Sequence, residues 1–411
     1  MSDNSALTKQ RWTTLVISCI INVVIGTGYA WSVFGAAWAT ELNTDAGSTA
    51  LAFTICNAVG PITMITGGKI NDALGPKWVI FIGGLMFGGG MFITGFANSL
   101  GWIIFWYGIV FGLGMGLIYS CTIGNTVKFF PDKRGFVGGL TTMCYGLGSV
   151  ILAPIAAKMV QPSSLGIHKT FFVLGIIYLV VICVGAFLVK KCPPGFVPDG
   201  YVPPAPAANV KATTDKTWSE MLRDPIFYVM FIMLVCGAFF GLMMISQCAS
   251  IATFKGIAAA SVIVSVLALF NALGRVLCGT ISDKIGRITT LMICLVLAII
   301  GLVLMLISGD DGAVSLFVVG ICLVGFAFGA FMGVYPGFTA DQFGPKNNGV
   351  NYGIMFIAFA LAGVLGPMIM RARFAATGSY NSAYVIAIVL AVVGLIFAFI
   401  YRGMSRVKED K

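Results

Sequence analysis

Gly68-Lys69-Ile70-Asn71-Asp72-Ala73-Leu74-Gly75-Pro76-Lys77 follows one long apolar run, and Gly279-Thr280-Ile281-Ser282-Asp283-Lys284-Ile285-Gly286-Arg287 follows another. Each segment carries a glycine, an aspartate four residues later, a glycine three residues beyond that, and a cation close by. The two aspartates are 211 residues apart. A second pair of segments keeps nearly the same offset. Gly112, Gly116, Ser120 and Gly124 recur 213 residues on as Gly325, Gly329, Gly333 and Gly337. Small residues at every fourth position give a helix a flat strip on which another helix can approach closely. Two loops and two helices in near-common register read as an internal duplication.

Outward from these segments the chain is mostly apolar. Of 411 residues, 58% are hydrophobic and 10% charged, too few charges to cover a soluble core of this size. The apolar residues fall into blocks of about 20, enough to span a bilayer as a helix. The predicted spans are 12–38, 47–68, 78–97, 101–127, 136–158, 168–189, 225–249, 258–282, 289–308, 313–340, 349–371 and 380–401. Helices are expected because a lone strand in lipid leaves its backbone groups unpaired. Met1 to Gln10 is polar, and the first apolar block is too long for a cleavable leader, so the first span is expected to persist.

Residues 192–224 interrupt the pattern with a proline-rich run through Pro203-Pro204-Ala205-Pro206, read as a linker. Residues 1–191 and 225–411 are then two six-span halves. The formal charge of +10 is not spread as a nucleic-acid surface would be. With both termini in the cytosol, nineteen of the 25 lysines and arginines lie inside, five lie outside, and Arg275 lies within a span. This bias sets the expected orientation. Ten of the eleven cysteines fall in spans without a Cys-x-x-Cys pair and read as packing residues.

The paired Gly-x-x-x-Asp-x-x-Gly loops resemble the signature loops of the major facilitator superfamily. That resemblance implies twelve helices in two pseudo-symmetric six-helix bundles, which rock to give alternating access. Tyr29-Ala30-Trp31-Ser32, Phe129-Phe130-Pro131-Asp132-Lys133-Arg134-Gly135, Tyr145-Gly146-Leu147-Gly148, Met221-Leu222-Arg223-Asp224-Pro225 and Asn351-Tyr352-Gly353 are similar to the oxalate/formate antiporter and monocarboxylate transporter branch. The likeness runs from about Trp12 to Tyr401.

Arg275 is the strongest single signal. A cation inside a membrane costs at least ~3 kcal/mol on insertion scales and needs a partner or a wet cavity. One reading has it snorkel to the interface or brace a carbonyl. The reading favoured here is that its planar fork holds a substrate carboxylate. The branch resemblance points the same way, since its members carry an arginine in helix 8. Asn271 lies one turn earlier on the same face. Animal monocarboxylate transporters tend to place an aspartate there, so the neutral Asn271 leaves the arginine's charge uncompensated. Oxalate-carrying relatives add a lysine in helix 11, where this chain has Phe359. One central cation matches one carboxylate. Tyr29, Asn57, Tyr119, Tyr145, Gln247, Tyr335 and Phe359 are the other expected wall residues, each open also to a plain packing role. Asp72, Lys77, Asp283 and Arg287 are expected to gate, with hydrated loop positions as the plainer reading of the aspartates.

All fifteen acidic residues lie in loops, termini or span ends, and the one histidine, His168, precedes the sixth span. No buried relay is visible, so either anions exchange or a proton rides on the substrate. A membrane enzyme would need a polar catalytic cluster, and a signalling receptor would need a sizeable soluble domain. Neither is legible. The expectation is therefore a multi-pass transporter of small monocarboxylates, with oxalate/formate-type exchange as the alternative. It is expected in a bacterial inner membrane, acting as a monomer, with no cofactor, metal or nucleic-acid partner.

Overall fold

A computed structural model of the chain describes residues 2–44, 46–201, 215–257, 260–309 and 313–409. Every regular element among them is helical. In order these are α1 (Ser2–Ile25), a 3₁₀ turn (Gly26–Ala30), α2 (Trp31–Glu41), α3 (Ala46–Leu74), α4 (Pro76–Thr94) and α5 (Leu100–Ile103). A π-helical stretch (Ile104–Phe111) leads into α6 (Gly112–Phe129), then α7 (Arg134–Met159), α8 (Gly166–Leu188), α9 (Trp218–Arg223) and α10 (Pro225–Phe254). The rest are α11 (Ala260–Ile285), α12 (Arg287–Ile307), α13 (Val314–Phe343), α14 (Asn348–Met355), α15 (Ile357–Thr377) and α16 (Asn381–Glu409).

Among the described residues, twelve segments are long and apolar enough to cross a membrane, one for each predicted span. Their ends move for physical reasons. The second span runs to Leu74 and the eighth to Ile285, so Asp72 and Asp283 lie in final helical turns and not in loops. The apolar signal fades at Gly68 and Ser282, but nothing breaks the helix until the next glycine. Gly75 and Gly286 then turn the chain at φ +98° and +90°, a region open to glycine and strained for residues with a Cβ. Pro76 follows at the first position of α4, where its missing N–H removes no helical bond. The linker's described end is capped locally: Thr217 and Glu220 form a reciprocal capping box that starts α9. The backbone N–H and hydroxyl of Thr217 hold the exposed Glu220 carboxyl below its usual range. Residues 202–214 of the predicted linker lie outside the described residues.

The chain divides into two compact units. The first holds Met1–Asp132, Cys144–Pro203 and Pro345–Ile354; the second holds Lys133–Met143, Pro204–Gly344 and Met355–Lys411. In the first, α4 packs on α8 and α6, and α3 packs on α6. Phe87 stacks on Phe111 at 3.9 Å and Tyr107 on Phe111 at 4.4 Å, filling that core with rings. In the second, α13 packs on α11 and α12, while α10 packs on α15 and α16. Here α10 offers Gly237 and Gly241 to the rings of Phe331 and Phe328 on α13, which leave no room for a Cβ. Large apolar side chains such as Val180, Val184, Val389 and Phe399 stand exposed on long helices, as a lipid-facing surface requires.

Candidate functional site

The two signature segments each clamp the start of another helix. In the first unit, Gly68 lies so close to Gly349 that an added Cβ would meet its carbonyl carbon at 2.4 Å. One turn on, Asp72 accepts the backbone N–H of Val350 at 3.4 Å and pairs with Lys128 at 2.6 Å. Lys128 also donates to the carbonyl of Lys346 at 3.0 Å. In the second unit, a Cβ on Gly279 would meet the carbonyl oxygen of Gly135 at 2.3 Å. Asp283 there accepts the N–H groups of Gly135 and Phe136 at 2.9 and 3.0 Å and pairs with Arg287 at 2.6 Å. A carboxylate at a helix N-terminus satisfies orphan donors and meets the positive end of the helix dipole.

Of the four expected gating residues, Asp72, Asp283 and Arg287 occupy these clusters. Lys77 does not. Its ammonium lies over the rings of Phe187 and Trp78, 4.5 and 5.3 Å from their centroids. The partner of Asp72 is Lys128 at the end of α6, which sequence reading passed over because it is 56 residues away. The second cluster also holds residues that were not foreseen. Asp341 accepts from Arg287 at 2.9 Å and from Arg134 at 2.6 Å. The repeat offers a signal that could have found them, because Lys128 and Asp341 are 213 residues apart, the offset of the glycine strips. A third ion pair, Arg11 to Asp132 at 2.8 Å, ties α1 to the loop before α7.

Arg275 is buried in α11, 4% exposed. Its Nε donates at 3.0 Å to Oδ1 of Asn271, one turn earlier on the same face. Its Nη1 donates to the carbonyl of Thr142 on α7 at 2.5 Å, so the carbonyl-bracing reading holds for part of the guanidinium. The backbone of α11 can sit this deep because glycines face it. An added Cβ on Gly139 or Gly333 would meet the Arg275 carbonyl at 2.2 Å, and one on Gly329 would meet the Asn271 carbonyl at 2.0 Å. Both acceptors are neutral, and among the described residues no carboxylate lies within ion-pair distance of Arg275. Arg275 is also the one charged residue among the described buried set that is not at a span end, the others being Arg11 and Asp224.

The expected wall residues divide between the units. In the first, Tyr119 and Tyr145 meet at 4.8 Å, both largely buried, and the Tyr145 hydroxyl lies 3.4 Å from the Met115 sulfur. Asn57 returns its amide to the Phe53 carbonyl at 2.9 Å. The side chain of Tyr29 lies outside the described residues. In the second unit, Gln247 is half-buried on α10. Phe359 stacks on Phe356 at 4.5 Å and faces Phe328 at 6.4 Å. Tyr335 departs from its expected role: it is 1% exposed and its hydroxyl donates to the Met230 carbonyl at 2.8 Å. A phenol has one proton to donate, so Tyr335 has none for a substrate in this arrangement. His168 stands in the first turn of α8 between the Gly95 carbonyl at 2.7 Å and Glu41 at 3.3 Å.

The sequence and fold both have known counterparts. The chain is 27% identical over 409 residues to the oxalate:formate antiporter of Oxalobacter formigenes, covering 98% of this chain and 94% of that one. It is 29% identical over 359 residues to the MFS-type transporter YhjX of Escherichia coli (strain K12), covering 87% and 86%. It is 23% identical over 402 residues to monocarboxylate transporter 12 of Rattus norvegicus, covering 91% and 82%. The structure resembles the proton:xylose symporter XylE with a TM-score of 0.71 at 14% identity, covering 96% of each chain. The family model for the Major Facilitator Superfamily matches residues 16–367 and, in a second match, 251–411. With its twelve spans and this match over most of its length, the chain belongs to the major facilitator superfamily of membrane transporters.

Proposed function

We propose that this transporter carries small monocarboxylate anions of the lactate, pyruvate or formate kind by alternating access, with Arg275 as the carboxylate anchor. The observation that carries the reading is a buried guanidinium held by two neutral acceptors, Asn271 and the Thr142 carbonyl, with no acid to neutralise it among the described residues. Such a charge is costly when unpaired in low dielectric, and an entering carboxylate relieves that cost. The names of its relatives, an oxalate:formate antiporter and a monocarboxylate transporter, support a small carboxylate. Asn271 steers Nε, and Tyr119, Tyr145, Gln247 and Asn57 are retained as candidate polar contacts on the sequence argument. The halves 1–191 and 225–411 are proposed to be the rocking bodies, acting as one monomer in the inner membrane with both termini in the cytosol.

Transport is proposed to run either by anion exchange or with a proton carried on the substrate, since among the described residues the acids within spans, Asp72, Asp283 and Asp341, lie in their last turns. The test is uptake of labelled lactate, pyruvate, formate and oxalate into proteoliposomes, with and without a pH gradient and with each anion preloaded. Stimulation by an acidic outside supports proton coupling, and stimulation only by preloaded anion supports exchange. No saturable uptake of any monocarboxylate would overturn the reading. Oxalate/formate-type exchange is the second reading, favoured by the antiporter's near-complete coverage of this chain. Oxalate uptake driven by internal formate would put it first.

A further inference from the structure

Lys77, Lys190 and Lys191 line a cavity of about 220 Å³ at one end of the first unit, together with Leu74 and Phe187, and among the described residues no carboxylate lines it. The nearest acid in sequence, Asp72, is already paired with Lys128 at 2.6 Å. The backbone at Lys190 and the side chains of Lys191 and Lys77 have fixed contacts. Asn125 grips the chain on both sides of Lys191, donating to the Lys190 carbonyl at 2.7 Å and accepting the Cys192 N–H at 3.0 Å. The stem of Lys191 crosses Gly75, where a Cβ would meet it at 2.9 Å, and its ammonium donates to the Ala73 carbonyl at 2.7 Å. Lys77 is set by the rings of Phe187 and Trp78. The start of α4 opens here too, with Gly75 as an N-cap that supplies no side-chain bond.

Three lysines and an uncapped helix start concentrate positive charge at one cavity, and an anion among them would relieve that repulsion. The flank of the cavity says which kind. Leu74 is 78% exposed, Trp78 58%, Leu188 51% and Phe187 48%, a surface suited to acyl chains. The cavity therefore lies where the charged ends of two spans meet the headgroup layer. We propose that it binds the phosphate of an anionic phospholipid, with the lysines on the headgroup and the exposed rings and leucines on the chains. This assigns Lys77, which stands apart from the Asp72 gate, to a lipid.

The experiment uses the purified full chain in detergent, exposed to an equal mixture of phosphatidylglycerol and phosphatidylcholine with matched acyl chains, and counts bound lipid by native mass spectrometry. Wild type should retain phosphatidylglycerol in preference to phosphatidylcholine, and retention should fall about fivefold for each lysine removed. K77Q/K190Q is the main variant, because it leaves the Lys191 bond to Ala73 intact. K77Q/K190Q/K191Q extends the series, with thermal unfolding measured for both. Lys158→Gln, on another part of the chain, should leave retention unchanged. Equal retention by K77Q/K190Q and wild type, or an equal loss in Lys158→Gln, overturns the site. Displacement of the lipid by millimolar inorganic phosphate or glycerol phosphate would make it a soluble-anion site and overturn the lipid assignment.

Discussion

Asp283 accepts the backbone N–H of Gly135 at 2.9 Å, joining the last turn of α11 to the first turn of α7. The contact needs a glycine on each side, since Cβ atoms on Gly279 or Gly135 would meet the opposite carbonyl at 2.3 or 2.1 Å. Asp72, Gly68 and Gly349 repeat the arrangement in the first unit with a longer bond, 3.4 Å to Val350. The repeat legible in the sequence is therefore a repeat of one device, a carboxylate and a glycine seated on a helix start. Because it joins helix ends that lie far apart in sequence, making and breaking it suits a step between conformations.

Asp283→Asn should change transport rate more than equilibrium affinity. An amide can still accept one backbone N–H but loses the ion pair with Arg287, so the balance of conformations shifts while the substrate contacts stay. Stopped-flow uptake alongside equilibrium binding checks this. A large loss of binding with unchanged hydrogen exchange at α7 would assign Asp283 to substrate binding instead.

The partner of Asp72 can be tested in the same way. A double-mutant cycle on transport rate or thermal stability should give a coupling of about 0.5–3 kcal/mol between Asp72→Asn and Lys128→Gln. The cycle with Lys77→Gln should give near zero. Coupling of Asp72 to Lys77 in place of Lys128 would overturn Lys128 as the partner of Asp72.

The glycines around Arg275 make a packing prediction. Gly139→Ala and Gly333→Ala each drive a methyl to 2.2 Å from the Arg275 carbonyl, backbone that has little room to move. Each should destabilise by about 1–3 kcal/mol, as overpacking does. Gly89→Ala, with nothing within 4 Å, should be neutral. Thermal unfolding in one detergent compares all three.

The sequence and structure agree where the physics is local or repeated. Twelve spans follow from bilayer thickness, and the shared face of Asn271 and Arg275 follows from the pitch of a helix. The offset of 213 carried Gly116 to Gly329, and applied further it would have carried Lys128 to Asp341. What stayed hidden is which acid meets which base when they are far apart in sequence. Lys77 lies five residues from Asp72 and turns away, while Lys128 reaches it. The burial of the Tyr335 hydroxyl is hidden from the sequence for a related reason. A tyrosine on a glycine-spaced helix reads the same whether its hydroxyl meets a cavity or the carbonyl of Met230.

Arg275→Lys should weaken monocarboxylate binding at least tenfold while the protein still inserts and folds. Lysine keeps the charge but has a single nitrogen, so it cannot hold Asn271, the Thr142 carbonyl and a carboxylate in one plane. Isothermal titration with lactate, run beside a thermal unfolding curve, separates lost binding from lost fold. Wild-type affinity in the variant would remove Arg275 as the anchor.

Phe359 sits in an aromatic stack with Phe356 at 4.5 Å, and as a proposed wall residue it is the place where one substitution would add a second cation. Phe359→Lys should therefore shift preference from monocarboxylates towards oxalate. A dianion held by one guanidinium leaves a net negative charge in a partly dehydrated site. At an effective dielectric of about 20, a unit charge 4–6 Å away contributes roughly 3–4 kcal/mol before desolvation is subtracted. A third of that moves relative affinity several-fold. The ammonium must lose water to enter, but the rings of Phe356 and Phe328 can offset part of that cost through cation–π contact. Two positive groups in one site also lower the lysine's tendency to stay protonated, so the shift should grow as pH falls. Competition of lactate against oxalate, measured by equilibrium binding to both proteins across pH, decides the matter. A wild type that already prefers oxalate would remove the single-cation argument and put dicarboxylate exchange in its place.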